Sequence, residues 1–441
     1  MANIMDISTI NHALMQGDID LAGVLPHLES VKLLPFQFEI DFGLKNLPLE
    51  SGLLLIRGAR QYGKSTWLEQ QIANTIKEFG AGSALYLNGD IILNSEHLVS
   101  AIRSLVQFFN PKAKVRRLFI DEITAVPNWE KALKYLIDAG ELIHVLIITT
   151  GSKAADLRSG SERLPGRKGR LARTNYIFTP ISYAEFKKQC GDALGAKTLS
   201  SYLLSGGSPI AACELAQNAR LPEYVLALVS DWILGEFTAS GRTRSALLAV
   251  LKTLCQFGTN PIGQAKLARE SGLANNTVAQ GYIALLQDLL VLCPAYPIDA
   301  NNGKPMWRKP CKYHFVNTLA AVAYHPQAPR TAQQLEESPE LYGQIIEWVV
   351  AQELFRRRCL LGKEPIPEDL SFWQSKTHEI DFVVSFPQEW IEVKRGSENP
   401  FHYQWFLNVH PKGHLSIINA SRFVGDRIRG ITLEDFLLEL C

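Results

Sequence analysis

The stretch Gly58-Ala59-Arg60-Gln61-Tyr62-Gly63-Lys64-Ser65-Thr66 fits the pattern GxxxxGK[ST]. Each residue type has a task there. Glycines let the backbone wrap a phosphate with several N–H groups turned inward. A following helix adds the partial positive charge of its N-terminus. Lys64 then reaches the β and γ phosphates, and the Ser65 hydroxyl joins a Mg²⁺ ion. The spacing predicts an ATP site formed by residues 58–66. Further along, RLFIDE (117–122) is an apolar run ending in two acids. At the carboxyl edge of a sheet, Asp121 would hold Mg²⁺ and Glu122 would orient and polarise the attacking water.

A second constellation lies near the carboxyl end. It comprises Glu347 in a helical stretch, Asp381 in EIDFVV, and Glu392 and Lys394 in WIEVKR. Residues two apart on a strand share a face, so Glu392 and Lys394 point the same way. With Asp381 on a neighbouring strand, two carboxylates could ligate Mg²⁺ and Glu347 could complete its shell. Lys394 would position water and stabilise the charge of a phosphodiester under attack. The order of these residues resembles the PD-(D/E)xK nuclease pattern. The same alternation would also suit half-buried strands carrying outward charges, with Glu392 and Lys394 as a structural pair.

Positioning these residues requires particular elements. Short apolar runs LLLI (53–56), ALYL (84–87), RLFI (117–120) and HVLIIT (144–149) alternate with helical patterns. That alternation predicts a parallel sheet covered on both faces. Residues 153–175 read as an exposed basic loop. A helical stretch containing the turn GGSP (206–209) runs to about residue 240. Residues 245–294 show a helix, a short helix ending at Gly272, then a longer helix that Asn275 or Asn276 could cap. This is a helix-turn-helix rhythm, with Lys266, Arg269, Arg242 and Arg244 available for DNA phosphates. A winged-helix domain used only for packing or subunit contact fits the pattern equally. Strand candidates at 370–375, 379–386, 390–395 and 414–419 suggest a mixed α and β domain after residue 306.

The series GARQYGKST, LFIDEI, ITTGS, LPGR, TPISYAEF and GGSP resembles the bacterial and archaeal AAA-type ATPases that end in a restriction-nuclease-like domain. The resemblance runs from about residue 50 to 440. It implies ATP binding at Gly63, Lys64, Ser65, Asp121 and Glu122. Together with boundaries that the element pattern places near 180, 240 and 306, the expectation is an α/β chain with a P-loop AAA+ core with a parallel sheet over 1–180, and a helical lid over 181–240. A winged helix would follow over 241–305, and a PD-(D/E)xK restriction-endonuclease-like domain over 306–441. In that class a polar residue after the fourth strand touches the γ-phosphate, which points to Ser152 beside Thr149 and Thr150; a simple strand-ending turn is the alternative. Arg163, Arg167 and Arg170 lie in the next loop. Arg167 matches the arginine of LPGR and is the leading candidate for a catalytic arginine finger, acting within the chain or across a homo-oligomer. A solvated basic loop would use the same residues.

Composition bounds the partners. Charged residues make up 20% of the chain at net +1, which excludes a globally basic protein but not a local basic face. Seven cysteines are scattered without metal-site or redox spacing, as expected in a reducing cytoplasm. The first residues lack a basic segment followed by an apolar one, and no apolar run approaches a bilayer span. The expectation is therefore a cytoplasmic, ATP- and Mg²⁺-dependent ATPase acting on DNA of unspecified form, not on a membrane. The alternative is a nucleotide-dependent signalling or assembly switch that binds a protein through its carboxyl-terminal domain.

Overall fold

The apolar runs become strands β1 (Gly52–Arg57), β2 (Ala84–Asn88), β3 (Arg117–Asp121) and β4 (Leu146–Gly151), joined by a short β5 (Asn175–Ile177). The computed structural model describes residues 7–151, 164, 166, 169–299, 302–385 and 388–439. They fall into two units, Met1–Gln37 with Asp41–Thr179, and Phe38–Ile40 with Pro180–Cys441.

In the first unit the strand order is β2-β3-β4-β1-β5, and every neighbouring pair is parallel. Buried side chains line both sheet faces, which is why the strands read as continuous apolar runs rather than alternating ones. Helices Ser95–Val106 and Trp129–Asp138 pack Leu98, Ile102, Leu133 and Leu136 onto Leu53, Leu85 and Leu118. The register pairs Ile56 with Thr150, Arg57 with Gly151 and Asn88 with Asp121. The carboxyl ends of β1, β3 and β4 therefore finish at one level. The amino-terminal helix Ile7–Gln16 serves the outer strand: the Asn11 side chain donates to Tyr86 O and accepts from Tyr86 N, both at 2.8 Å. One amide thus occupies the backbone groups that an edge strand leaves open.

The second unit begins with helices Tyr183–Leu194, Thr198–Ser205, Pro209–Asn218 and Glu223–Ala239. Three more follow, Arg244–Phe257, Gln264–Glu270 and Asn276–Asp288. An antiparallel hairpin comes next, β6 (Leu292–Ala295) with β7 (Lys312–Phe315). This hairpin spans the expected boundary at 305/306, so a cut there would sever two paired strands. The turn at Gly206, at φ 57°, leaves no room for a Cβ, which would lie 2.5 Å from Leu319 N. Gln352 joins that turn to the helix Thr318–Tyr324 by donating to Gly206 O and accepting from Thr318 N.

The final layer is a six-stranded sheet ordered β12-β13-β11-β10-β9-β8. Its strands are β8 (Ser371–Gln374), β9 (Glu379–Ser385), β10 (Gln388–Val393), β11 (Leu415–Ile418), β12 (Phe423–Val424) and β13 (Ile428–Ile431). The 22-residue helix Pro339–Leu360 is buried along most of its length, so it lacks a clean polar face. It carries Glu347.

Candidate nucleotide site and a buried acid–lysine cluster

The loop Gly58–Gly63 leaves β1 at the sheet's carboxyl edge and leads directly into helix Lys64–Phe79. Gln61 and Gly63 adopt left-handed φ values of 61° and 98°. A side chain at Gly58 would put its Cβ 2.8 Å from Phe178, so this glycine is required by close approach. Lys64 is buried, and its Nζ donates to the carbonyls of Gly58 and Ala59 at 3.0 and 2.8 Å. Burial pushes its pKa below the ordinary value, while Glu122 and Asp121 act in the opposite direction. Ser65 and Thr66 are half-buried in the first helical turn, and Arg60 and Gln61 are exposed.

Asp121 ends β3 and is buried. Its Oδ1 accepts from the Thr150 hydroxyl and from Glu122 N, the latter at 3.1 Å. Glu122 N also lies 3.1 Å from Thr150 Oγ1. Glu122 itself holds φ 48°, uncommon for a non-glycine residue. This corner is braced from β2: a Cβ at Gly89 would lie 2.4 Å from Glu122 O. Thr149 turns instead to Leu54 O. The hydroxyl that engages the acid corner is Thr150. Ser152, Arg163 and Arg167 lie outside the described residues, while Gly166 and Arg170 are exposed.

The geometry fits a nucleotide: the cradle excludes a side chain at Gly58, and a buried ammonium is held by main-chain carbonyls that a phosphate could replace. The family model of the AAA domain matches residues 50–187. That segment is similar to AAA domains, and its strand, glycine-containing loop and helix follow the P-loop arrangement. No curated protein matches the chain. Among solved structures, the Walker-type ATPase PABY2304 of Pyrococcus abyssi is 13% identical, aligning 68% of this chain with 94% of that one at a TM-score of 0.43. Cdc6p from Pyrobaculum aerophilum is 11% identical over 68% of this chain and 89% of that one, at 0.28. The replication initiator DnaA bound to AMPPCP and single-stranded DNA is 13% identical over 59% and 86%, at 0.28. Likeness at these scores says nothing about partners. Among the described residues no helix is long and apolar enough to cross a membrane.

In the second unit, β9 and β10 pair antiparallel with Phe382 opposite Ile391, which sets Asp381 level with Glu392. Glu347, Asp381 and Glu392 are all buried. A residue the sequence pattern did not single out lies among them. Lys312 of β7 is 1% exposed, and its Nζ lies 3.2 Å from Glu347, 2.6 Å from Glu379 and 2.9 Å from Asp381. The other Asp381 oxygen accepts from Val393 N at 2.9 Å. Glu392 meets Lys394 at 2.6 Å through Oε1, while its buried Oε2 has no hydrogen-bond partner among the described residues.

The charges sort themselves. Burial acts to raise the Asp381 carboxyl, but Lys312 and Lys394 hold it below its usual range. Burial drives Glu347 and Glu392 upward, reinforced by the charge on Asp381. Asp381 and Lys312 are the ionised pair; the other two carboxyls are pushed toward the neutral form. This arrangement does not fit a divalent ion. The three acids expected to converge on one metal are divided between two ammonium groups. Among the described residues no group of three or more His, Cys, Asp or Glu is placed to hold a metal. No obvious signal marked Lys312, because the strand segment KYHF carries no motif.

Proposed function

We propose that this chain binds and hydrolyses ATP and uses the cycle to act on DNA. The observation that carries the reading is the GARQYGKST loop at the end of β1, whose buried Lys64 feels the charges of the Asp121–Glu122 corner. Main-chain N–H groups from Ala59 to Thr66 receive the phosphates, and Lys64 exchanges the Gly58 and Ala59 carbonyls for phosphate oxygens. Mg²⁺ held through Ser65 and Asp121 would neutralise phosphate charge when bound. Thr150 fixes the Asp121 carboxylate. Glu122, pinned through its backbone, orients water and takes up its proton. Ser152 contributes at the γ-phosphate. Arg167 supplies positive charge to the transition state, within the chain or across a homo-oligomer.

The DNA part rests on the second unit. Three helices followed by the β6–β7 hairpin support a winged-helix reading, with helices Tyr183–Ala239 as the lid. Asn275 caps the third helix by accepting from Val278 N, and Asn276, Thr277 and Gln280 on that helix are exposed. Lys266 and Arg269 are exposed, as are Lys304, Trp307, Arg308 and Lys309 in the hairpin connection. Basic side chains around an exposed aromatic ring suit phosphates and bases. The restriction-nuclease-like shape proposed for residues 306–441 then serves to hold DNA.

Two variants test the ATP reading. Lys64→Ala should lose ATP turnover with its circular dichroism unchanged. Glu122→Gln should retain nucleotide and slow turnover by about a hundredfold or more. Wild-type ATPase rates in purified Lys64→Ala would overturn the assignment.

A further inference from the structure

Three carboxylates around a lysine that is 1% exposed pose a question of what the cluster can bind. An isolated buried ammonium is costly, so Lys312 is tolerated only because Glu347, Glu379 and Asp381 surround it. The spacing of these oxygens is that of hydrogen bonds to nitrogen, 2.6 to 3.2 Å. Mg²⁺ demands oxygens at about 2.0–2.1 Å in near-octahedral array. Both Asp381 oxygens are already engaged, by Lys312 and by Val393 N. Glu392 is turned to a different cation, Lys394.

We infer that Lys312 is the resident cation of this cluster, occupying the place among Glu347 and Asp381 that a divalent metal would need, so that, on the DNA reading proposed above, this domain carries out no metal-assisted cleavage. The lysine is built in by the fold. Its backbone is paired to Ala295 in the β6–β7 hairpin, and its side chain reaches from that hairpin to the helix Pro339–Leu360 and to β9. Removing the ammonium leaves Glu347, Glu379 and Asp381 facing one another without the cation at their centre. At a pH that keeps these acids ionised, and with a divalent ion supplied, such a set takes up the ion.

The test measures Mn²⁺ binding to the full-length, nucleotide-free protein by loss of the free-ion electron paramagnetic resonance signal. It needs no ATP turnover, so its outcome is independent of the ATPase reading. Wild type and Asp381→Asn should bind Mn²⁺ identically. Lys312→Met should gain one Mn²⁺ per chain, and the double variant Lys312→Met/Asp381→Asn should lose it. A Mn²⁺ ion in the wild type that Asp381→Asn or Glu392→Gln removes would overturn the inference. So would a folded Lys312→Met that gains no site. If circular dichroism shows Lys312→Met unfolded, the comparison of wild type with Asp381→Asn decides alone, since a lysine-filled cluster holds no ion to lose.

Discussion

His314 follows Lys312 on the same face of β7 and shows how far a single side chain can be pushed by its surroundings. It is fully buried, its ring lies 4.9 Å from that of Phe382, and neither ring nitrogen has a hydrogen-bond partner among the described residues. Burial pushes its pKa down to about 3, with the charge on Lys312 acting in the same direction. Below pH 6.5 the unfolded chain takes up a proton that the folded chain refuses. The unfolded state then binds more protons, so this residue's contribution makes stability fall as pH drops from 6.5 toward 3. His314→Leu should remove that penalty. Thermal unfolding at pH 7.5 and pH 5 should show the variant gaining on wild type at the lower pH, by on the order of 1 kcal/mol per pH unit. An unchanged gap would mean the folded protein admits the proton. Nothing in KYHF announces a buried neutral histidine; its environment is supplied by strands and helices far along the chain.

At the scale of elements, the Asp121–Glu122 corner depends on contacts between strand ends. Gly89 follows β2, and a methyl there would meet the carbonyls of Glu122 at 2.4 Å and of Asp121 at 3.1 Å. Backbone cannot yield as a flexible side chain does. Gly89→Ala should therefore displace the Glu122 turn while leaving the phosphate loop on β1 intact. A shift of about 1 Å in a catalytic group costs about a hundredfold in rate. ATP turnover should fall by about that factor, with affinity for a fluorescent ATP analogue changed much less. Equal losses of both would place the damage in the sheet rather than at Glu122. The four long strands of this sheet were legible because burial on both faces leaves each as a continuous apolar run. The three-residue β5 was not, nor was the helix Ile7–Gln16, whose task at the sheet edge falls to Asn11, a residue with no periodic signature. Likewise the hydroxyl that holds Asp121 belongs to Thr150, and strand register chose it over its neighbour Thr149.

For the whole molecule, the formal charge of +1 leaves DNA binding to local patches. If Lys266, Arg269, Lys304, Arg308 and Lys309 meet phosphates, binding to duplex DNA should weaken steeply with salt through counterion release. Reversing Lys304 and Lys309 together should reduce the log–log salt slope by about two, since each phosphate left without its lysine removes about 0.9 from it. Fluorescence anisotropy across a salt series would measure this. Binding that does not respond to salt would place the DNA elsewhere or exclude it.

By itself the sequence determined the phosphate loop, the acid-ended strand and the alternation that makes a parallel sheet. Each is a local pattern: a loop that must wrap a phosphate needs its glycines and lysine adjacent in the chain, and strand burial is written into consecutive residues. The carboxyl-terminal acids were also visible as a series, but their meaning was not. Whether carboxylates gather around a metal or an ammonium depends on which side chain arrives from elsewhere. Here it is Lys312, separated in sequence from Glu347, Glu379 and Asp381 and brought to within 3.2 Å of each only by the packing of the β6–β7 hairpin against the helix Pro339–Leu360 and β9. Charge balance in a buried cluster belongs to all of its members together, and only the tertiary structure brought them together.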